Sequence, residues 1–230
     1  MARDLPQALL ELSDTSDIAD LDGYADRLAR WSVELTPVTA AAVVLRDENG
    51  TLRVGAARPE WIRALPEAAI AGGAGLMIEC CDRAEPVWVS DMTERNWPQF
   101  TEVALALGIC GGFAVPLSQG GRLFGALAVY HAETDGDLED IQGVCRALGI
   151  AAAIGLANFA EHQRLRALTG HLQTALESRI VIEQAKGILA ERRHTSVDQA
   201  FAILRRLARE NNLRLHDVAR ATVETLKSVR

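Results

Sequence analysis

From Leu138 to about Glu191, nothing but glycine interrupts a helical pattern. Ile141, Val144, Leu148, Ala152, Leu156 and Phe159 return at helical spacing. Leu165, Leu168, Leu172, Ala175, Leu176, Ile180 and Ile182 continue it, mostly at intervals of three and four, which suits a coiled-coil seam. Leu156 and Phe159 extend that seam backward, with Gly170 its weak point. The spacing therefore predicts one long helix that joins an N-terminal part of the chain to a C-terminal one. A second copy of the chain is an economical partner for its apolar face, and the chain's own first domain is the alternative.

Charge divides at the same place. Residues 1–160 hold 23 acidic against 11 basic side chains, net −12; residues 161–230 hold 8 against 13, net +5. An acidic body with a basic tail predicts a polyanion partner for the tail alone, set against the plainer reading of a solvated helix surface. After Glu161 the one aromatic residue is Phe201, which argues against a base-stacking groove built on several rings.

The first 160 residues alternate strands and helices. Asp20–Leu35 reads as a helix ended by Pro37. Ala40–Arg46 and Thr51–Ala57 read as a hairpin about Asp47-Glu48-Asn49-Gly50. Pro59–Ala69 and Trp97–Leu107 read as helices, and Pro86–Val89 as a strand. Gly112–Pro116 and Leu123–Tyr130 read as strands about the turn Gln119-Gly120-Gly121. Short connections predict an α+β fold with a mostly antiparallel sheet, the terminal helices packed on one face. A helical coiled-coil linker and a small three-helix bundle come after it. In that bundle Ser196 and Gln199 form a capping box, and Asn211-Asn212 ends the helix it starts. Leu215, Val218, Ala219, Thr222 and Leu226 line the last helix.

Several chemistries find no support. There is no Cys-x-x-Cys or His-x-x-x-His pair for a metal, no Gly-x-Ser-x-Gly elbow and no phosphate-loop lysine motif. No enzyme, metal or cofactor is expected. Gly72-Gly73-Ala74-Gly75 reads as a flexible sheet-edge loop. Cys80 and Cys81, read on a strand, point to opposite faces. They and Cys110 read as small buried hydrophobes, with redox sensing the alternative if a thiol is exposed and acidic. The early acidic residues leave no room for a secretory signal, so reduced thiols and a cytoplasmic address are expected, and no membrane span.

Two resemblances carry a functional expectation. The stretch 20–159 resembles a GAF domain. The residues concerned are Glu85-Pro86-Val87-Trp88-Val89-Ser90-Asp91, Trp97-Pro98-Gln99-Phe100, Gly112-Phe113-Ala114-Val115-Pro116-Leu117 and Arg122-Leu123-Phe124-Gly125-Ala126-Leu127-Ala128-Val129-Tyr130. That resemblance implies a ligand-sensing or dimerising module, with a pocket near residues 72–110 for a small molecule or protein partner. The region has no lysine, unlike cyclic-nucleotide-binding members, and no cysteine–histidine arrangement matching bilin-binding ones.

The tail resembles an ANTAR domain in three ordered blocks: Ser178–Leu189, Asp198–Arg206 and Asn212–Ala219. The resemblance implies a dimer that grips hairpin loops of a nascent transcript and prevents a terminator from forming. Arg179, Gln184, Lys186, Arg205 and Asn212 are then the expected RNA contacts, supported by Arg206 and Arg214. Ala185, Ala200, Phe201, Leu204 and Ala219 are expected in the core, and Gly187 at a close helix approach. The expected organisation is an N-terminal segment 1–19, a sensor 20–160, a linker 161–178 and an RNA-binding domain 179–230. The competing reading is a dimerising protein-interaction or DNA-binding regulator without direct RNA binding.

Overall fold

The computed structural model describes residues 5–14, 20–132 and 138–227. They form two compact units, 1–161 and 162–230.

In the first unit a five-stranded sheet has the order β2-β1-β5-β4-β3. Its strands are β1 (Ala40–Arg46), β2 (Leu52–Arg58), β3 (Val87–Val89), β4 (Gly111–Gln119) and β5 (Arg122–His131), and every described pairing is antiparallel. Local chemistry sets the turns. The Asp47 carboxylate accepts from the Asn49 and Thr51 N–H groups at 2.9 and 2.8 Å, which closes the β1–β2 hairpin. Gly120 and Gly121 both take positive φ, 58° and 79°, as a two-residue hairpin turn requires. Gly125 holds φ 148°, and a Cβ there would overlap the Val44 carbonyl on β1. The glycine therefore lets two central strands approach.

Both faces of the sheet are covered. On one face lie α1 (Leu5–Ser13), α2 (Leu21–Leu35) and the start of α6 (Leu138–Arg193), burying Leu12, Tyr24, Leu28, Cys145 and Leu148 against Val43, Phe113 and Val129. On the other lie α3 (Ala64–Gly72), α4 (Leu76–Arg83) and α5 (Pro98–Ala106), burying Leu65, Met77, Cys80 and Phe100 against Ala42, Ala128 and Tyr130. The terminal helices share one face, as the sequence suggests; the opposite face carries α3, α4 and α5. Asp20 caps α2 by accepting from the Gly23 N–H at 2.5 Å. Neither α1 nor α4 is expected from the periodicity. In α4 the apolar residues fall among Glu79, Asp82 and Arg83 just after the glycine cluster, which masks the pattern.

The second unit packs the end of α6 with α7 (Val197–Glu210) and α8 (Leu215–Lys227). Ala185, Leu204 and Ala219 are fully buried at its centre, ringed by half-buried Val181, Ile182, Leu189, Leu215, Val218 and Val223. The Ser196–Gln199 capping box starts α7. Asn212 takes φ 52° in the turn after α7, a left-handed conformation asparagine tolerates. The Leu226 side chain, expected on the α8 stripe, lies outside the described residues.

The long helix carries one correction. Leu156 is buried in the first unit's core. It precedes Leu165 by nine residues, about half a turn out of phase at 3.6 residues per turn. Leu156 therefore faces away from the seam rather than extending it, and Phe159 is half-buried. α6 is apolar enough over one stretch to cross a membrane, but 44 % of that stretch is buried in the fold, a property core helices share.

Candidate nucleic-acid interface

The apolar positions of the tail behave as packing residues. Ala185, Ala200, Leu204 and Ala219 are all fully buried. Two companions do not fit that role. Gly187 is exposed, and a Cβ built there would meet nothing within 4 Å, so no helix of the same chain packs closely on it. Phe201 is half-buried and lies outside the buried cluster. At 100° per residue it stands beside the Ala200–Leu204–Ala208 stripe, on its edge.

That edge position gathers charge. The Lys186 ammonium on α6 lies 5.3 Å from the centre of the Phe201 ring, and the Arg205 guanidinium carbon lies 5.8 Å from the same centre. Lys186 also donates to both Glu183 carboxylate oxygens at 2.9 Å. Its side chain is only 16 % exposed, whereas Glu183 is 56 % exposed. The stem is thus covered and the head is held between a ring and a carboxylate. Arg205 itself is exposed.

The remaining expected contacts spread outward. Arg179 is exposed seven residues before Lys186, on the same face of α6 about 10 Å along its axis. Gln184 is exposed as well, but two residues from Lys186 it points about 160° away around the helix. Arg206 is exposed and pairs loosely with Glu210 at 3.9 Å. Asn212 and Arg214 are exposed at the α7–α8 turn. There the Arg214 carbonyl accepts from the Asp217 and Val218 N–H groups at the start of α8. Lys186, Phe201 and Arg205 are therefore brought together, and Gln184 is not placed with them. The grip of Glu183 on Lys186 is a feature that reading the sequence missed. Its signal was the three-residue spacing of opposite charges on one helix.

In the first unit the cysteines sit differently from the strand reading. Cys80 and Cys81 lie on helix α4, where neighbours are about 100° apart, so both reach the buried side. Burial pushes the Cys80 thiol well up from its ordinary range, Cys81 to about 11 and Cys145 to about 12. Such thiols are neutral and poorly reactive. Cys110 is half-buried, with its main chain bonded to His131 and Met92. His131 stacks on Trp88 with ring centres 5.4 Å apart. Among the described residues no group of His, Cys, Asp and Glu is arranged to hold a metal.

Comparison with known proteins matches these two units to two families. Residues 18–157 match the GAF domain and residues 170–223 the ANTAR domain. No curated protein matches the chain. Among solved structures, it is similar to the GAF domain of a phosphoenolpyruvate-protein phosphotransferase from Coxiella burnetii. That match has 19 % identity, covers 73 % of this chain and 98 % of the other, and has a TM-score of 0.51. It is also similar to the GAF domain of the corresponding Acinetobacter phosphotransferase, with 15 % identity, 71 % and 99 % coverage and a TM-score of 0.50. At such identities the likeness speaks for the fold alone. The chain belongs to the GAF domain family, with an ANTAR domain following in a GAF–ANTAR architecture.

Proposed function

We propose that this chain is a cytoplasmic, signal-responsive transcription antitermination regulator. Its ANTAR unit binds hairpin loops in nascent RNA, under control of the GAF unit. One observation carries this reading. Within the ANTAR match, Ala185, Ala200, Leu204 and Ala219 are buried, while Arg179, Gln184, Arg205 and Asn212 are exposed to a partner. The net charge of +5 over residues 161–230 supports a polyanionic partner.

A homodimer is part of the proposal. Leu165, Leu168, Leu172, Leu176 and Ile180 are 49 to 62 % exposed along α6 at three- and four-residue spacing, and a second copy would cover them as a coiled coil. We divide the chain into sensor 20–160, linker 161–178 and RNA-binding domain 179–230. The GAF unit takes a small molecule or a protein partner, and the chain is a regulator, not an enzyme. Control requires that this ligand bind two states of the dimer unequally. The rival reading, a protein-interaction or DNA-binding regulator, uses the leucine stripe and leaves the exposed ANTAR positions without a role in RNA binding.

The test is transcription in vitro. Hairpins enriched by the purified chain from a random-loop RNA pool are placed ahead of an intrinsic terminator. Read-through should rise with the chain and not with a Lys186→Ala, Arg205→Ala double variant. Read-through unchanged by the chain, in the presence or absence of enriched hairpins, would contradict antitermination.

A further inference from the structure

We propose that Lys186 and Arg205, gathered over the Phe201 ring, form a two-cation clamp for the phosphates of a polynucleotide, and that Glu183 is its internal counter-ion, displaced when a phosphate enters. The proposal rests on the RNA-binding reading and adds to it the order of parts within the site. Three observations meet here. Both cationic heads lie within 6 Å of one ring centre, so a single side chain sets their mutual position. That ring is half-buried at the edge of the bundle rather than in its core, with Arg205 exposed beside it and Lys186 largely covered. Glu183 presents two oxygens to the Lys186 ammonium at 2.9 Å each, the arrangement a phosphate would offer. Arg205, by contrast, is exposed and has no carboxylate partner among the described residues, so it is ready for the first phosphate.

Phe201 is then a positioning residue, acting through the two cations. Glu183 competes with the ligand for one of them. An incoming phosphate at Arg205 places negative charge beside the Lys186–Glu183 pair. The flexible Glu183 side chain, more than half exposed, is the partner free to swing into water.

The experiment measures hairpin RNA binding by the full chain at several salt concentrations, using a hairpin from the enriched pool. Glu183→Gln should tighten binding about threefold at low salt, in line with release from an exposed ion pair. Glu191→Gln, the same charge change on an exposed α6 residue outside the clamp, should do clearly less. Phe201→Leu should weaken binding about tenfold, the scale of two cation–π contacts. It should also lower the salt slope by ~0.7, one phosphate contact on a single strand. Phe201→Trp should restore both. Equal effects of Glu183→Gln and Glu191→Gln would overturn the counter-ion role. A Phe201→Leu variant that loses affinity with its salt slope intact would show the ring contacting a base, and would overturn the positioning role. Unchanged binding by Phe201→Leu overturns it equally. If the wild-type chain binds no hairpin, the RNA reading itself fails. If it binds and these variants do not respond, the clamp alone fails.

Discussion

The Tyr24 hydroxyl donates to the main-chain carbonyl of Leu12 at 2.6 Å and, on its longer side, faces that of Ala152 at 3.1 Å. One phenol thus ties α1, α2 and α6 together at the point where the long helix leaves the sensor core. Gly155 makes this possible, because a Cβ there would overlap both the Tyr24 hydroxyl and the Leu12 carbonyl. Gly155→Ala should therefore destabilise the GAF unit by ~2 kcal/mol, the usual scale of overpacking. Chemical denaturation followed by tyrosine and tryptophan fluorescence measures it. A loss below about 0.5 kcal/mol would mean that the helices part at no cost.

Alkaline pH should weaken the same unit. Burial raises the thiols of Cys80, Cys81 and Cys145 and the phenols of Tyr24 and Tyr130. In the unfolded chain the thiols lose their protons near 9.0, while in the fold Cys81 holds its proton to about 11. Between those values the folded state binds more protons, so stability falls as pH rises. The contribution is complete below pH 9 and drains away above it. Melting temperatures should be level with respect to these groups from pH 7 to 8 and decline from pH 9 upward. A rise over that upper range would contradict the burial of these groups.

Thiol chemistry offers a separate check on redox sensing. At pH 8 burial keeps the Cys81 thiol protonated in the fold, and Cys80 and Cys145 are protected in the same way. A disulfide reagent should modify Cys110 first and leave the other three untouched until the protein unfolds. Rapid modification of Cys80 or Cys81 in the native chain would reopen a sensing role.

The exposed leucines predict self-association. Replacing Leu168 and Leu172 together by Gln removes two successive apolar positions from the middle of the stripe. Sedimentation should show a dimer for the wild type and a monomer for the variant, with the far-ultraviolet helical signal nearly kept. A wild type that is monomeric at tens of micromolar would contradict the coiled coil.

Much of this could be read from the residues. The β1–β2 and β4–β5 hairpins announce themselves through Asp47–Gly50 and Gly120–Gly121, because turn chemistry is local. The capping box at Ser196 and the exit at Asn212 are legible for the same reason. What escaped was tertiary. α4 is short, and its polar residues hide a face that becomes apolar only against the sheet. Leu156 and Leu165 look like one stripe along the chain, yet half a turn separates them, and one is buried where the other is not. Gly187 and Phe201 match the family's pattern without occupying the core, since a pattern match fixes residue type and not depth. The Lys186–Glu183–Phe201–Arg205 arrangement joins two helices, and no spacing along one of them reveals it.

The central claim is that the tail reads RNA loops, and direct binding tests it. The full chain and residues 162–230 are titrated against hairpin RNAs of one stem with varied loops, and against the same stem as duplex DNA, at two salt concentrations. The account predicts tight, loop-dependent RNA binding that weakens with salt and is lost in Lys186→Ala, with no comparable binding to the duplex. Failure of both proteins to bind any hairpin, or equal binding to hairpin and duplex whatever the loop, would contradict it.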